Sequence, residues 1–173
     1  MRKHTISVLV ENKFGVLARI SSIIAGRGFN IDSLAVGPTE DPSASRMTIV
    51  VAGDDRTLEQ VKKQLNRLID VISIQDLTKG KFIDRELMLI RVAVKPKTRA
   101  EVIGIAEGLK AKIDDVGVKS VVLQVVGNTE KIQTALELLE PFGIQEIVRT
   151  GRVALAREVQ APEKQTRPSK KKS

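Results

Sequence analysis

The 173-residue chain contains no cysteine, no tryptophan and no tyrosine, and its only aromatic residues are four phenylalanines. Without thiols there is no disulfide framework and no zinc-thiolate site. An RNA-binding sheet normally stacks bases on several aromatic side chains, and that platform is missing here. No apolar run approaches the roughly 20 residues that span a membrane. A strand pattern starts directly after Met1, so we also expect no signal peptide and no membrane partner.

The sequence offers few groups for catalysis. We expect its only histidine, His4, to be a surface residue at the start of a strand, and Ser21 and Ser22 have no histidine to activate them. The aspartate pairs at 54–55 and 114–115 fit a helix cap and a turn, because no third carboxylate or histidine lies at ligand spacing. We therefore predict no catalytic residue, no metal site and no cofactor of the chain's own.

The formal net charge of +8 is unevenly distributed. In residues 161–173, five basic residues stand against Glu163, so this short segment carries +4 of the total. We predict that residues 159–173 form a disordered basic tail. A nucleic-acid-binding module acting through that tail is one hypothesis, and a steep salt dependence of duplex binding would reveal it. The missing aromatic platform favours the opposite prediction, no nucleic-acid partner.

Hydrophobic periodicity divides the chain into two similar halves. Alternation predicts strands and 3.6-residue spacing predicts helices. In the first half, the predicted elements are strand 4–11, helix 15–25, strands 30–37 and 46–52, a helix capped by Asp54 or Asp55, and strand 71–78. In the second half, they are strand 86–95, a helix opened by a Thr98/Glu101 capping box, strands 112–116 and 120–126, a helix capped by Asn128, and the last strand, 144–149.

Each half thus reads β-α-β-β-α-β, the ferredoxin-like arrangement of an α+β fold. Lys79-Gly80-Lys81 has the composition of a linker. We predict one domain over residues 1–79 and a second over 82–158.

The segment Asn12-Lys13-Phe14-Gly15-Val16-Leu17 differs from its counterpart in the second half, Lys95-Pro96-Lys97-Thr98, which has no glycine. A glycine at a strand-to-helix turn permits a tight bend or the close approach of a ligand. The first N–H groups of the helix have no intrahelical partners, so a small carboxylate could bind there. Asn30 follows at the start of the next strand. The alternative is an ordinary helix start that contains a glycine.

The glycine turn, followed by Arg27-Gly28-Phe29-Asn30-Ile31-Asp32-Ser33-Leu34, resembles the amino-acid-binding ACT domain. The whole chain is most similar to the regulatory small subunit of acetohydroxyacid synthase, also called acetolactate synthase. Further segments that agree with that family are Ser45-Arg46-Met47-Thr48-Ile49, Glu59-Gln60-Val61-Lys62-Lys63-Gln64-Leu65 and Arg149-Thr150-Gly151-Arg152-Val153-Ala154-Leu155. The resemblance extends over residues 2–157.

The resemblance implies a non-catalytic subunit of branched-chain amino-acid biosynthesis. Its expected partner is the large catalytic subunit, which would use thiamine diphosphate, magnesium and FAD. The small subunit would activate that enzyme and confer feedback inhibition by valine, isoleucine or leucine. The second half would contribute to contact with the large subunit. We expect a cytoplasmic protein, with the plastid stroma as the alternative.

The resemblance also implies a homodimer through the ACT domains, with the effector held between two chains. The expected effector-binding residues are Asn12, Phe14, Gly15, Val16 and Leu17 of one chain, and Asn30 and Ile31 of the other. A free-standing amino-acid-responsive ACT protein, with no enzyme partner, is the second hypothesis.

Overall fold

The computed structural model describes residues 2–26 and 29–157. The tail predicted at 159–173 lies outside the described residues, and so do Arg27 and Gly28 of the ACT-like segment. Within the described part of the chain, no helix is both long and apolar enough to cross a membrane.

The first six elements build a four-stranded antiparallel sheet with two helices. They are β1 (Arg2–Glu11), α1 (Val16–Ala25), β2 (Asn30–Pro38), β3 (Ala44–Gly53), α2 (Asp55–Leu65) and β4 (Val71–Asp76). The strand order is β2-β3-β1-β4, so β2 and β4 form opposite edges. Alternate residues of β1, such as Ile6 and Val8, are fully buried and pack with Ile20 of α1 and Leu58 of α2 in one core. The carboxylate of Asp54 accepts from the Thr57 N–H and caps α2, as predicted.

The next elements repeat this arrangement. They are β5 (Phe82–Ala93), α3 (Arg99–Gly108), β6 (Lys112–Val116), β7 (Ser120–Gly127), α4 (Thr129–Leu139), a short 3₁₀ turn (Glu140–Phe142) and β8 (Ile144–Arg149). The strand order is β6-β7-β5-β8. Met88 and Ile90 of β5 pack with Val102 of α3 and Ile132 of α4 in a separate core. The predicted α+β fold of two ferredoxin-like modules is confirmed.

A ninth strand, β9 (Val153–Ala156), pairs with β5. The prediction that strand 144–149 is the last one was therefore wrong. Four residues are too few to show a clear alternation, and the pairing partner lies far away in the sequence.

Packing divides the described residues into two units, 2–83 with 154–157, and 84–153. We predicted domains of 1–79 and 82–158. In the structure the division falls after Ile83, and residues 154–157 belong with the first unit. The backbone N–H of Ala154 donates to Thr48 Oγ1 of β3 at 3.3 Å within that unit.

His4 is not the surface residue that we expected, because only 1% of it is exposed. β1 begins at Arg2, so His4 lies inside the strand, on the same face as Ile6. Neither ring nitrogen has a hydrogen-bond partner among the described residues. Its Nε2 atom lies 3.9 Å from Asp55 Oδ1, a distance too long for a hydrogen bond.

The capping box predicted at Thr98 is also wrong. Thr98 precedes α3, but its side chain makes no capping hydrogen bond to the helix. Its hydroxyl instead accepts from the Lys95 N–H at 3.0 Å. Asn128 does cap α4, because its side-chain oxygen accepts from the Lys131 N–H at 3.0 Å.

Candidate functional site

The turn between β1 and α1 is left-handed at Gly15, with φ 79° and ψ −5°. Residues with a side chain rarely adopt this conformation, so glycine is required for an unstrained turn. Arg19 N–H donates to Gly15 O at 3.0 Å and closes the first helical turn. The N–H groups of Leu17 and Ala18 have no acceptor within the described part of the chain. The turn is thus an open set of donors at the positive end of the helix.

Two ion pairs flank this turn. Arg19 Nη2 of α1 lies 2.7 Å from Asp70 Oδ2, and the Asp70 side chain is only 9% exposed. Lys13 Nζ lies 2.5 Å from Glu11 Oε2, and the hydrogen bond and charge of Glu11 raise the pKa of Lys13. A Cβ built on Gly15 would lie 3.9 Å from Arg19 Nη1, so the guanidinium stands next to the open donors. Cations and carboxylates side by side suit a zwitterion, which carries both charges.

Sequence reasoning missed Arg19 and Asp70. They are 51 positions apart in the printed sequence and lie on elements that only the fold brings together. Arg19 alone, four residues after a helix-opening glycine, was the available signal.

Asn12 fixes the turn to the loop before β3. Its Nδ2 atom donates to Pro42 O at 3.0 Å, and its backbone N–H donates to Ser43 O at 2.7 Å. This residue was a predicted effector contact, and in the single chain its amide nitrogen holds the loop.

The three apolar residues predicted around the turn have different environments. Phe14 is fully exposed, Leu17 is 41% exposed, and Val16 is buried in the core of the first unit. Only Phe14 and Leu17 can therefore offer side chains to a ligand at the surface, while Val16 anchors the helix.

Asn30 and Ile31 lie at the other end of the sheet. Asn30 pairs with Ala52, which pairs with Lys3 at the start of β1. The glycine turn follows Glu11 at the end of β1. At about 3.3 Å per residue, the length of β1 from Lys3 to Glu11 is about 26 Å. One chain therefore does not bring the two halves of the predicted site together.

The side chains of Asn30 and Ile31 have different environments. Asn30 is exposed, and its Nδ2 atom donates to Asp32 Oδ1 at 3.4 Å. Ile31 is half-buried and packs against the core of the first unit. Among the described residues, no cluster of three or more His, Asp or Glu side chains could hold a metal ion.

The fold and its open turn define a protein of two ferredoxin-like modules, of which the first is an ACT domain. Residues 6–73 match the family model of the AHAS small subunit-like ACT domain. Residues 85–158 match the family model of the small subunit of acetolactate synthase.

Known proteins agree with both matches. The chain is 48% identical over 155 residues to the probable acetolactate synthase small subunit of Archaeoglobus fulgidus, covering 90% of this chain and 97% of that protein. It is 48% identical over 167 residues to the acetolactate synthase small subunit of Aquifex aeolicus, covering 95% and 86%. The crystal structure of the acetolactate synthase small subunit from Thermotoga maritima superposes with a TM-score of 0.82 at 36% identity, covering 91% of this chain and 99% of that one. The chain therefore belongs to the acetolactate synthase small-subunit family.

Proposed function

We propose that the chain is the regulatory subunit that binds the large catalytic subunit of acetolactate synthase and makes it responsive to valine or a related branched-chain amino acid. The observation that supports this most is the open, left-handed turn at Gly15 beside the Arg19–Asp70 ion pair. Chemistry would belong to the large subunit, with its expected thiamine diphosphate, magnesium and FAD. The ACT module would supply the effector site.

The proposed effector site needs two chains. β2 is an edge strand, so a second β2 can pair with it across a two-fold axis. In an antiparallel pairing, the Asn30 end of one β2 would lie beside the Pro38 end of the other. Pro38 pairs with Ser45, close to the loop that Asn12 contacts, so this end of β2 lies near the glycine turn. Such a homodimer would bring Asn30 of one chain toward Gly15 of the other.

Each part of an amino acid has a suitable group in that arrangement. The carboxylate would accept from the N–H groups of Leu17 and Ala18, next to the Arg19 guanidinium. Asn30 of the second chain would orient the polar end. Leu17 and Ile31 would contact the branched side chain.

Mixed dimers test whether two chains build the site. A dimer of one Gly15→Asp chain with one Asn30→Ala chain keeps one intact site if each site takes one residue from each chain. If each site came from a single chain, both sites of that dimer would be damaged. We therefore expect calorimetry to find half the wild-type number of valine sites, at wild-type affinity. The control is each variant as a homodimer, which has no intact site.

Two further results would contradict the proposal. One is a mixed dimer that binds valine no better than either homodimer, which rules out the two-chain site. The other is wild-type chain that leaves the activity and valine sensitivity of the large subunit unchanged, which would favour a free-standing ACT protein instead.

A further inference from the structure

Two large apolar side chains are exposed at one end of the ACT module. Phe14, in the loop before α1, is fully exposed, and Ile69, in the loop before β4, is 93% exposed. Val10 at the end of β1 pairs with Val71 at the start of β4, so both loops lie at the same end of the sheet. Exposed apolar residues that are grouped in this way mark interaction sites more often than single ones do.

The loop that carries Ile69 is held firmly. The next residue, Asp70, is buried, and its backbone oxygen accepts from the Glu11 N–H at 2.9 Å. Its carboxylate pairs with Arg19 at 2.7 Å. Ile69 is therefore presented to solvent by a fixed neighbour, and little conformational freedom is lost when a partner covers it.

The position of this surface argues against a second copy of the chain as its partner. The proposed homodimer uses the β2 edge, and β4 forms the opposite edge of the same sheet. Ile69 is separated from β4 by Asp70 alone, so it lies at the edge that this pairing leaves uncovered.

The surroundings indicate the chemistry of the partner. Lys63 in the last turn of α2 and Arg67 in the following loop, which also carries Ile69, are both exposed. The two nearby carboxylates, Glu11 and Asp70, are each already paired with a cation. The surface is thus apolar at its centre and basic at its rim, and it fits an apolar pocket with an acidic rim.

We propose that this surface, formed by Phe14 and Ile69 with Lys63 and Arg67 at its rim, docks on the large catalytic subunit. The inference rests on the proposed function, because only a regulatory subunit requires such a partner. Arg19 links the surface to the effector site, since it stands beside Gly15 and holds Asp70.

The test is Ile69→Ser, titrated into the large subunit with activation as the readout. We expect the concentration for half-maximal activation to rise about tenfold, as for loss of a central interface contact. Valine binding to the variant alone stays at the wild-type value, because Ile69 is not an effector contact. Ile69→Leu keeps the apolar side chain and should activate normally.

The matched control is Ile83→Ser, the same change at a residue that is 44% exposed elsewhere in the first unit. It should leave activation unchanged. An unchanged titration for Ile69→Ser overturns the proposed docking surface while the regulatory function stands, provided that the wild type activates. A variant that becomes monomeric by light scattering also overturns it, because the surface would then join two copies of this chain.

Discussion

Two helices begin at equivalent places in the two modules, α1 after β1 and α3 after β5, but their first turns differ. α1 follows Gly15, which has no side chain and leaves the helix N–H groups open. α3 follows Thr98, whose hydroxyl accepts from Lys95 N–H and donates to Lys95 O at 3.4 Å. Arg99 Nη2 then donates to the carbonyls of Gly117 and Val118 at 3.0 and 2.8 Å.

In the second module, the Thr98 side chain thus closes the loop before α3 and the Arg99 side chain binds backbone carbonyls. In the first module, the residue before the helix has no side chain, and the nearby Arg19 is held by a carboxylate. Both modules have the same topology, so the fold by itself would not create the proposed effector site. The difference lies in a few residues of one turn. Changing those residues should therefore separate regulation from folding.

The largest expected effect comes from Gly15→Asp. Aspartate is one of the few residues that tolerate a left-handed turn, so the module should still fold. Its carboxylate would lie beside Arg19 and the open N–H groups, where it would repel and replace the carboxylate of the effector. We expect loss of valine sensitivity, with activation of the large subunit largely kept. The measurement is large-subunit activity against valine concentration at saturating small subunit.

Thr98→Asp is the matched control for that variant. It places a carboxylate at the helix start of the other module, where no effector is expected, and valine sensitivity should stay at the wild-type level. If Gly15→Asp were as sensitive to valine as wild type, the effector would bind somewhere other than this turn.

The order of helices α1–α4 and of strands β1–β8 was predictable from their apolar periodicity, whereas β9 is too short to show one. Ile6, Val8 and Val10 alternate along β1, and Leu58, Val61 and Leu65 repeat along α2. We expected His4 at the exposed start of β1 because Arg2 and Lys3 are charged and do not resemble strand residues. In the structure both belong to β1, so His4 lies inside the strand. The proposed effector site was predictable only in part. The local sequence pattern indicated Gly15. The contact of Asp70 with Arg19 and the separation of Asn30 from the Gly15 turn depend on strand register, which the sequence alone does not reveal.

The next largest expected effects are losses of stability in the two cores. α1 buries Ile20 completely, whereas α3 places Val102 and the small Ala106 inward. Ile20→Ala should lower the free energy of unfolding by about 3 kcal/mol, since it removes buried groups and leaves a cavity. Val102→Ala removes fewer groups, at about 0.8 kcal/mol per buried CH₂ plus the cavity, and should cost about 2 kcal/mol. Urea unfolding followed by circular dichroism measures both, and a larger loss for Val102→Ala would contradict the comparison.

The smallest expected effect is the loss of stability in Thr98→Ala, which tests how the second module closes the turn before α3. The Thr98 hydroxyl hydrogen-bonds to both backbone groups of Lys95, and it makes no bond to the first turn of α3. Thr98→Ala should lower the free energy of unfolding by about 1 kcal/mol, the net value of a typical hydrogen bond. Glu101→Ala distinguishes the loop closure from a capping box, because a capping box would need both side chains. Urea unfolding of the two variants should show a loss for Thr98→Ala and no change for Glu101→Ala. Equal losses would show that Thr98 and Glu101 do form a capping box. Neither variant should change valine sensitivity, because the open turn at Gly15 is untouched.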